Sequence, residues 1–229
     1  MPRRNRNSPG PRSAVNHWQR NLLILAATAA VAIILIATVA GASTPRSAPQ
    51  SAVAFPAREL GDSSAKVVVE EFADFQCPYC GRFNSLAEPR LRAQYIQTGK
   101  IRFIFRNYLV VGPESNLAAN AALCAGDQGM FWAYHDLLYK NQGAENSGAF
   151  SSPRLESFAA QLRLDGVAFD QCLSNQAHTD VITADVQLGR RYGIPGTPAF
   201  FINGRQVTIL AQDTQFQELF DAIDKALQS

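Results

Sequence analysis

Between Lys66 and Cys80 the chain reads KVVVEEFADFQCPYC: a short β-branched run, a turn, and two cysteines three apart with a proline directly after the first. No other stretch restricts the fold as strongly. Lys66–Phe72 is bounded by polar residues and reads as a mostly buried strand. Pro78 suits the first position of a helix, where its fixed φ and missing N–H cost nothing. Apolar and small residues at Phe83, Leu86, Ala87, Leu91 and Tyr95 follow at spacings of three and four, which predicts a helix to about Thr98. Gly99 marks its end. Ile101–Val110, IRFIFRNYLV, reads as the next strand, so the segment is a βαβ unit.

From Glu114 to Arg191 the pattern turns helical. Met130, Ala133, Tyr134, Leu137 and Leu138 share one face, and Leu155, Phe158, Ala159 and Leu162 share another. TPAFFINGRQVTIL comes next, in which Asn203-Gly204 separates two apolar runs. Both residues tolerate the positive φ of a type I′ turn, so a hairpin is predicted there. An amphipathic helix, Phe216–Leu227, closes the chain. The expected class is α/β: a βαβ unit, a helical block over about 113–191, then a hairpin and a helix.

Charge divides the chain. No Asp or Glu precedes Glu59, whereas seven arginines do; from Glu59 onward 14 Lys+Arg face 19 Asp+Glu, a balance of 14 − 19 = −5. The basic character of the whole chain therefore belongs to its leader, and nucleic-acid binding by the folded part is not expected. Leu22–Ala42 is 21 residues long and carries no charge. At about 1.5 Å per residue a helix of that length just spans a hydrocarbon core. Five arginines lie before it, which predicts a cytoplasmic basic segment at 1–21 and an extracytoplasmic position for everything after Ala42. The alternative is a cleaved signal peptide, since Ala40-Gly41-Ala42 fits a cleavage site; the apolar run exceeds the usual core of about 7–15 residues and favours a retained single-pass anchor in the cytoplasmic membrane. Arg3-Arg4 lacks the apolar residues that a twin-arginine signal would carry next. Residues 43–58, rich in Ser, Ala and Pro, read as a linker. The globular domain is expected at 59–229.

Three uses of Cys77 and Cys80 compete: thiol exchange, metal binding and a structural bridge. With Cys77 at the start of the helix, its sulfur faces the free N–H groups of Tyr79 and Cys80 and the positive end of the helix dipole. That favours a thiolate and lowers its pKa. Cys80, one turn on, is shielded, so the spacing makes one exposed nucleophile and one resolving thiol. A structural zinc needs four ligands, but Cys124 and Cys172 are solitary and the histidines are scattered at 17, 135 and 178. No metal site is expected, and no cofactor. A disulfide closing so short a loop restrains little of the unfolded chain. Thiol exchange is therefore favoured. The sequence has no phosphate-cradling Gly-Lys-Ser/Thr loop, no metalloprotease His-Glu pair and no fixed-period repeat.

VVVEEFADFQCPYC together with the downstream GIPGTPAFFING resembles the thioredoxin superfamily, and within it the DsbA-like branch of exported thiol–disulfide oxidoreductases, whose fold carries a helical insertion. The likeness runs from about Leu60 to Leu227. Glutaredoxins share the Cys-Pro-Tyr-Cys tetrapeptide but are small cytosolic proteins without such a leader or insertion. The resemblance implies a cis-proline at Pro198 beside the cysteine pair, with the Thr197 backbone open to an extended substrate; Pro195, in a Gly-Ile-Pro-Gly turn, is the competing candidate. It also implies a buried acid at Glu71, six residues before Cys77, able to exchange a proton with Cys80. Glu70 and Glu71 must face opposite ways in a strand, so one of them points inward unless both are solvated at an edge. Tyr79 stands where some members have a histidine; it either presents an aromatic face to substrates or covers the site.

Outside the cytoplasm two lone cysteines in one domain usually pair, and related exported proteins carry a similar pair. Cys124 and Cys172 are therefore expected as a structural disulfide, against two buried free thiols or a second redox pair. His135 beside Trp132 and Tyr134 reads as a packing residue rather than a catalytic base, and His178 as exposed. The implied function is oxidation of cysteines in unfolded or reduced exported proteins, coupled to a quinone-linked membrane partner. A reductase or isomerase of the same fold, or a non-catalytic chaperone-like module, are the alternatives. No dimerisation segment precedes the first strand, so a monomer is expected.

Overall fold

A computed structural model describes residues 56–210 and 213–229. The basic segment 1–21, the predicted span Leu22–Ala42 and all but the last three residues of the predicted linker lie outside the described residues. Among the described residues no helix is long and apolar enough to cross a membrane.

The β-branched run forms β2 (Val67–Ala73), which lies parallel to β3 (Ile101–Asn107). A parallel pair needs a crossover, and the helical segment begun by Pro78 supplies it. On the other side β2 pairs antiparallel with β4 (Ala199–Ile202), and β4 with β5 (Arg205–Val207). A three-residue strand, β1 (Glu59–Gly61), pairs antiparallel with β3 and completes the order β1-β3-β2-β4-β5. β1 was not anticipated, because three residues are too few to show an alternation. The β4–β5 turn has positive φ at Asn203 and Gly204. Asn203 also fixes it to β2: its Oδ1 accepts from the Val68 N–H at 2.8 Å, and its N–H donates to the Val68 carbonyl at 2.9 Å.

The crossover is not the single helix expected to run to Thr98. α1 (Pro78–Leu86) stops at Ala87, α2 (Glu88–Leu91) comes after it, and a π-helical turn covers Arg92–Ile96. Pro89 explains the break, since it has no N–H to donate and its ring crowds the carbonyl one turn back. β3 also ends earlier than the apolar run suggested. The N–H groups of Val110 and Val111 turn to Asp74 Oδ2, at 2.8 and 3.0 Å, instead of continuing the sheet.

The insertion comprises α3 (Pro113–Asp127), α4 (Phe131–Lys140), α5 (Ser152–Gln161), α6 (Gly166–Ser174) and α7 (Thr179–Arg191). α3 is its hub: Ala118, Ala119, Ala121, Ala122 and Ala125 are buried there, and small side chains let neighbouring helices approach closely. Phe131, Tyr134, Phe158 and Phe169 fill the space around it. On one face of the sheet, Val67, Val69, Phe103 and Phe200 pack against Phe83 of α1 and against Leu219, Phe220 and Ile223 of the closing helix α8 (Gln217–Leu227). Each such side chain contributes roughly 1.5–3 kcal/mol on burial.

The opposite face holds charge. Arg58, expected in the linker, lies in a 3₁₀ turn at Pro56–Arg58 and pairs with Asp185 of α7, both buried. Arg106 joins Asp185 at 3.4 Å and Glu70 at 2.6 Å. Arg58 thus packs as part of the described fold, with a partner 127 residues away that no local pattern announces.

Candidate active site

β2 ends by delivering Asp74, and Asp74 shapes the turn that leads into α1. Its Oδ1 accepts from the Gln76 N–H at 2.9 Å and its backbone carbonyl accepts from the Cys77 N–H at 3.0 Å. Gln142, just past the end of α4, donates to the carbonyls of Phe75 and Cys77 at 2.7 and 3.0 Å. Gln142 comes so near α1 that a Cβ at Gly81 would stand 2.4 Å from its Oε1, so a side chain there would push the Gln142 amide aside. Cys77 occupies the N-cap with extended backbone angles (φ −70°, ψ 120°), and Pro78 is the first helical residue.

The two sulfurs are free thiols in different surroundings. Cys80 is wholly buried, and burial together with Cys77 and Glu71 raises its pKa well above the ordinary thiol value. Cys77 goes the other way, to about 6. The Cys80 thiol, hydrogen-bonded to its sulfur, contributes most to that lowering. Burial opposes it, while the Thr197 side chain and the N–H groups of Cys80 and Tyr79 add to it. The amides at the helix start were expected to dominate; in the structure the neighbouring thiol outweighs them. Nor is Cys77 openly exposed: it keeps 7% of its accessible area, with the Thr197 carbonyl 3.3 Å from its Sγ.

Thr197-Pro198 is a cis peptide, the one found among the described residues, and Pro195 is not cis. Tyr79 is 65% exposed. With Arg82, Thr197, Pro198, Leu210 and Phe216 it lines a surface groove beside the cysteine pair. Of the two glutamates, Glu71 points inward and is buried, while Glu70 faces the other side and holds Arg106. Neither carboxylate oxygen of Glu71 has a hydrogen-bond partner. Burial, then the charges of Glu88 and Cys77, push its pKa well above the usual carboxylate range. A neutral carboxyl whose charge, once ionised, is felt at a buried thiol is suited to hold a proton in transit.

His135 is fully buried among Phe75, Phe105, Trp132 and Tyr139, with Nδ1 2.8 Å from Asp136 Oδ1 and Nε2 without a partner. His178, expected to be exposed, is largely covered; its Nε2 lies 2.8 Å from Asp127 Oδ2. Cys124 and Cys172 are joined in a disulfide with Cα atoms 5.8 Å apart. Asp74 and Gln142, which hold the Cys77 loop, were missed in the sequence. Asp74 had a weak local signal, an acid between a strand and a helix; Gln142, 65 residues from Cys77, had none.

A family model described as Thioredoxin matches residues 56–225. Among curated relatives, the Na(+)/H(+) antiporter NhaA 1 of Salinispora arenicola is 38% identical over 148 residues, 64% of this chain and 21% of the antiporter; the chain thus spans about a fifth of that relative. The probable disulfide bond formation protein D of Bacillus cereus is 29% identical over 174 residues, 74% of this chain and 78% of the relative. Among solved structures, oxidised BdbD from Bacillus subtilis superposes with a TM-score of 0.68 at 25% identity, covering 75% of this chain and 93% of that one.

Proposed function

The chain belongs to the thioredoxin family, and on that premise we propose that it is a DsbA-like, extracytoplasmic protein thiol–disulfide oxidoreductase that oxidises cysteines of exported proteins. The observation that carries the proposal is the inequality of the two sulfurs: Cys77 lowered to about 6, Cys80 buried and raised. A stabilised thiolate favours the reduced pair, and the more stable the reduced form, the stronger the oxidant. The names of the relatives that act on disulfides support the same direction.

In the forward reaction a substrate thiolate attacks Cys77 Sγ of the Cys77–Cys80 disulfide. The S–S bond breaks, a mixed disulfide with Cys77 forms, and Cys80 leaves as a thiolate that takes a proton from Glu71. A second substrate thiolate then attacks the substrate sulfur, releasing Cys77 as a thiolate. The substrate loses two electrons and the pair gains them. The groove beside Tyr79 and Pro198 receives the unfolded chain, with the Thr197 backbone pairing along it. Turnover needs an electron acceptor, proposed as a quinone-linked membrane protein. A monomer tethered through Leu22–Ala42 would meet it at raised effective concentration.

The test is equilibration of the pair with glutathione. A reduction potential well above about −270 mV, the value of a reducing thioredoxin, is expected; a potential at or below it makes the protein a reductase. Cys77→Ser should abolish oxidation of a reduced two-cysteine substrate, and Cys80→Ser should accumulate mixed disulfides. Full activity of Cys77→Ser would end the proposal.

A further inference from the structure

The fold brings a second group of metal-ligand atoms together, away from the redox pair. Cys124 on α3 and Cys172 on α6 are bridged, 48 residues apart. Asp127 lies one turn beyond Cys124 on the same helix, with Oδ2 2.8 Å from His178 Nε2 and 3.7 Å from Cys172 Sγ. Both sulfurs and a ring nitrogen of His178 fall within 4.8 Å of one another. These residues looked scattered in the sequence. In space two sulfurs and an imidazole converge, and the Asp127 carboxylate reaches the imidazole and one of the sulfurs.

The surroundings hold that arrangement independently of the S–S bond. Asn120, buried one turn before Cys124, accepts the His178 backbone N–H on Oδ1 at 3.1 Å. Its Nδ2 donates to the carbonyls of Leu173 and Cys172, at 3.3 and 3.5 Å. One amide thus ties the end of α6 to the start of α7, so opening the disulfide does not release His178 from Cys172. By contrast Glu88, His135 and Asp136, which also converge, are already bridged by Arg92 at 2.5 Å from Glu88 and 2.8 Å from Asp136. A cation there would have to displace a guanidinium.

We infer that the Cys124–Cys172 pair, once reduced, is a binding site for a zinc-class divalent cation, ligated by Cys124 Sγ, Cys172 Sγ, His178 Nε2 and the Asp127 carboxylate. Zinc takes four such ligands tetrahedrally, with sulfur at about 2.3 Å and nitrogen or oxygen at about 2.0–2.2 Å. That geometry sets the two sulfurs about 3.8 Å apart, a separation they reach by side-chain rotation once the bond between them is broken. Thiolate ligands select zinc or cobalt over calcium and magnesium. The site is gated by redox state. A dithiol or phosphine reductant supplies two electrons, and two protons complete the thiols; the cation then binds and releases both protons. While bound, it withholds the sulfurs from reoxidation.

The test uses the full chain carrying Cys77→Ser/Cys80→Ser, so that the redox pair contributes no ligands. The protein is reduced with a phosphine, freed of it anaerobically and titrated with Co2+, with Zn2+ as competitor. About one Co2+ per chain is expected, with a thiolate-to-cobalt charge-transfer band and the strong visible bands of tetrahedral cobalt, bleached by Zn2+. Before reduction these bands should be absent. Adding His178→Ala should weaken Co2+ binding at least about tenfold, as should Asp127→Ala. Absence of tetrahedral bands in the reduced chain overturns the assignment, as do bands whose affinity and shape His178→Ala leaves unchanged. Far-UV circular dichroism is recorded on the same samples; a reduced chain that is unfolded and stays so with Zn2+ overturns it as well.

Discussion

Cys77 Sγ lies 3.3 Å from the carbonyl oxygen of Thr197, a residue 120 positions further along the chain. The contact suits only one protonation state. A thiol donates to that carbonyl, whereas a thiolate has nothing to donate and must itself accept. Its donors are the Cys80 thiol, the Thr197 side chain and the amides of Cys80 and Tyr79. The Thr197 hydroxyl is buried and makes no hydrogen bond in the structure, so it is at hand for the sulfur once that ionises. Ionisation of one sulfur therefore frees the Thr197 carbonyl, the backbone group that a substrate strand would use.

The first consequence is a titration. Alkylation of Cys77 in the reduced protein should rise with pH around a midpoint of about 6, leaving roughly nine-tenths of it thiolate at pH 7. Cys80→Ala removes the largest stabilising contact and should move the midpoint up by roughly one to two units. Iodoacetamide rates and thiolate ultraviolet absorbance measure both. A midpoint unchanged in Cys80→Ala would show that the amides hold the thiolate.

The same inequality predicts how the reduction potential varies with pH. Below about pH 6, reduction of the disulfide binds two protons, so the potential falls by about 59 mV per pH unit. Above it only Cys80 is protonated, because its pKa is raised beyond the ordinary 9.0. The slope should then halve to about 30 mV per unit. Potentials measured against glutathione across pH 5 to about 8 should show the break. A single slope throughout would contradict the assigned ionisations.

These sulfur properties were half legible in the sequence. The strand, Pro78 and the three-residue spacing announced a helix start and an asymmetric pair, since those signals are local. The weight of the Cys80 thiol over the amides was hidden, because it depends on how deeply Cys80 is packed. So was the covering of Cys77 by Thr197, a contact made across the sheet. The βαβ unit and the Asn203-Gly204 turn were legible through periodicity and turn chemistry. β1, the break before Glu88 and the Arg58–Asp185 pair were not, because a short edge strand, a proline inside a good helical pattern and a distant ion pair leave no periodic trace.

Glu71 should trade stability for proton transfer. Its folded pKa is raised above the unfolded value near 4.5, so the folded state retains a proton that the unfolded state has lost. Stability from this group is present below about pH 4.5 and is lost as pH rises through the raised value. Glu71→Leu should remove that decline and stabilise the protein at neutral pH by about 1–3 kcal/mol, because an unpartnered buried carboxyl disappears. It should also slow resolution of mixed disulfides by Cys80, on the order of 10²-fold. Urea unfolding at several pH values and stopped-flow resolution rates read the two effects. A destabilised variant with normal rates would assign Glu71 to packing alone.

The Arg58–Asp185 pair makes the opposite kind of prediction, about where the domain begins. Both groups are buried, and burial alone would drive each toward neutrality: it lowers Arg58 and raises Asp185, with their mutual attraction opposing both shifts. Asp185 also accepts from the Asn107 N–H at 3.1 Å, at the end of β3. Asp185→Ala would leave a buried guanidinium without its carboxylate and an amide without its acceptor, and should cost about 3–5 kcal/mol. Replacing both partners together, Arg58→Met with Asp185→Leu, should cost much less than the single change, since no uncompensated charge remains. Denaturant unfolding of the two variants beside the unmodified protein measures this. Equal losses in Asp185→Ala and the double variant would mean that the pair contributes shape rather than charge, and that Arg58 is no more than the end of a tether.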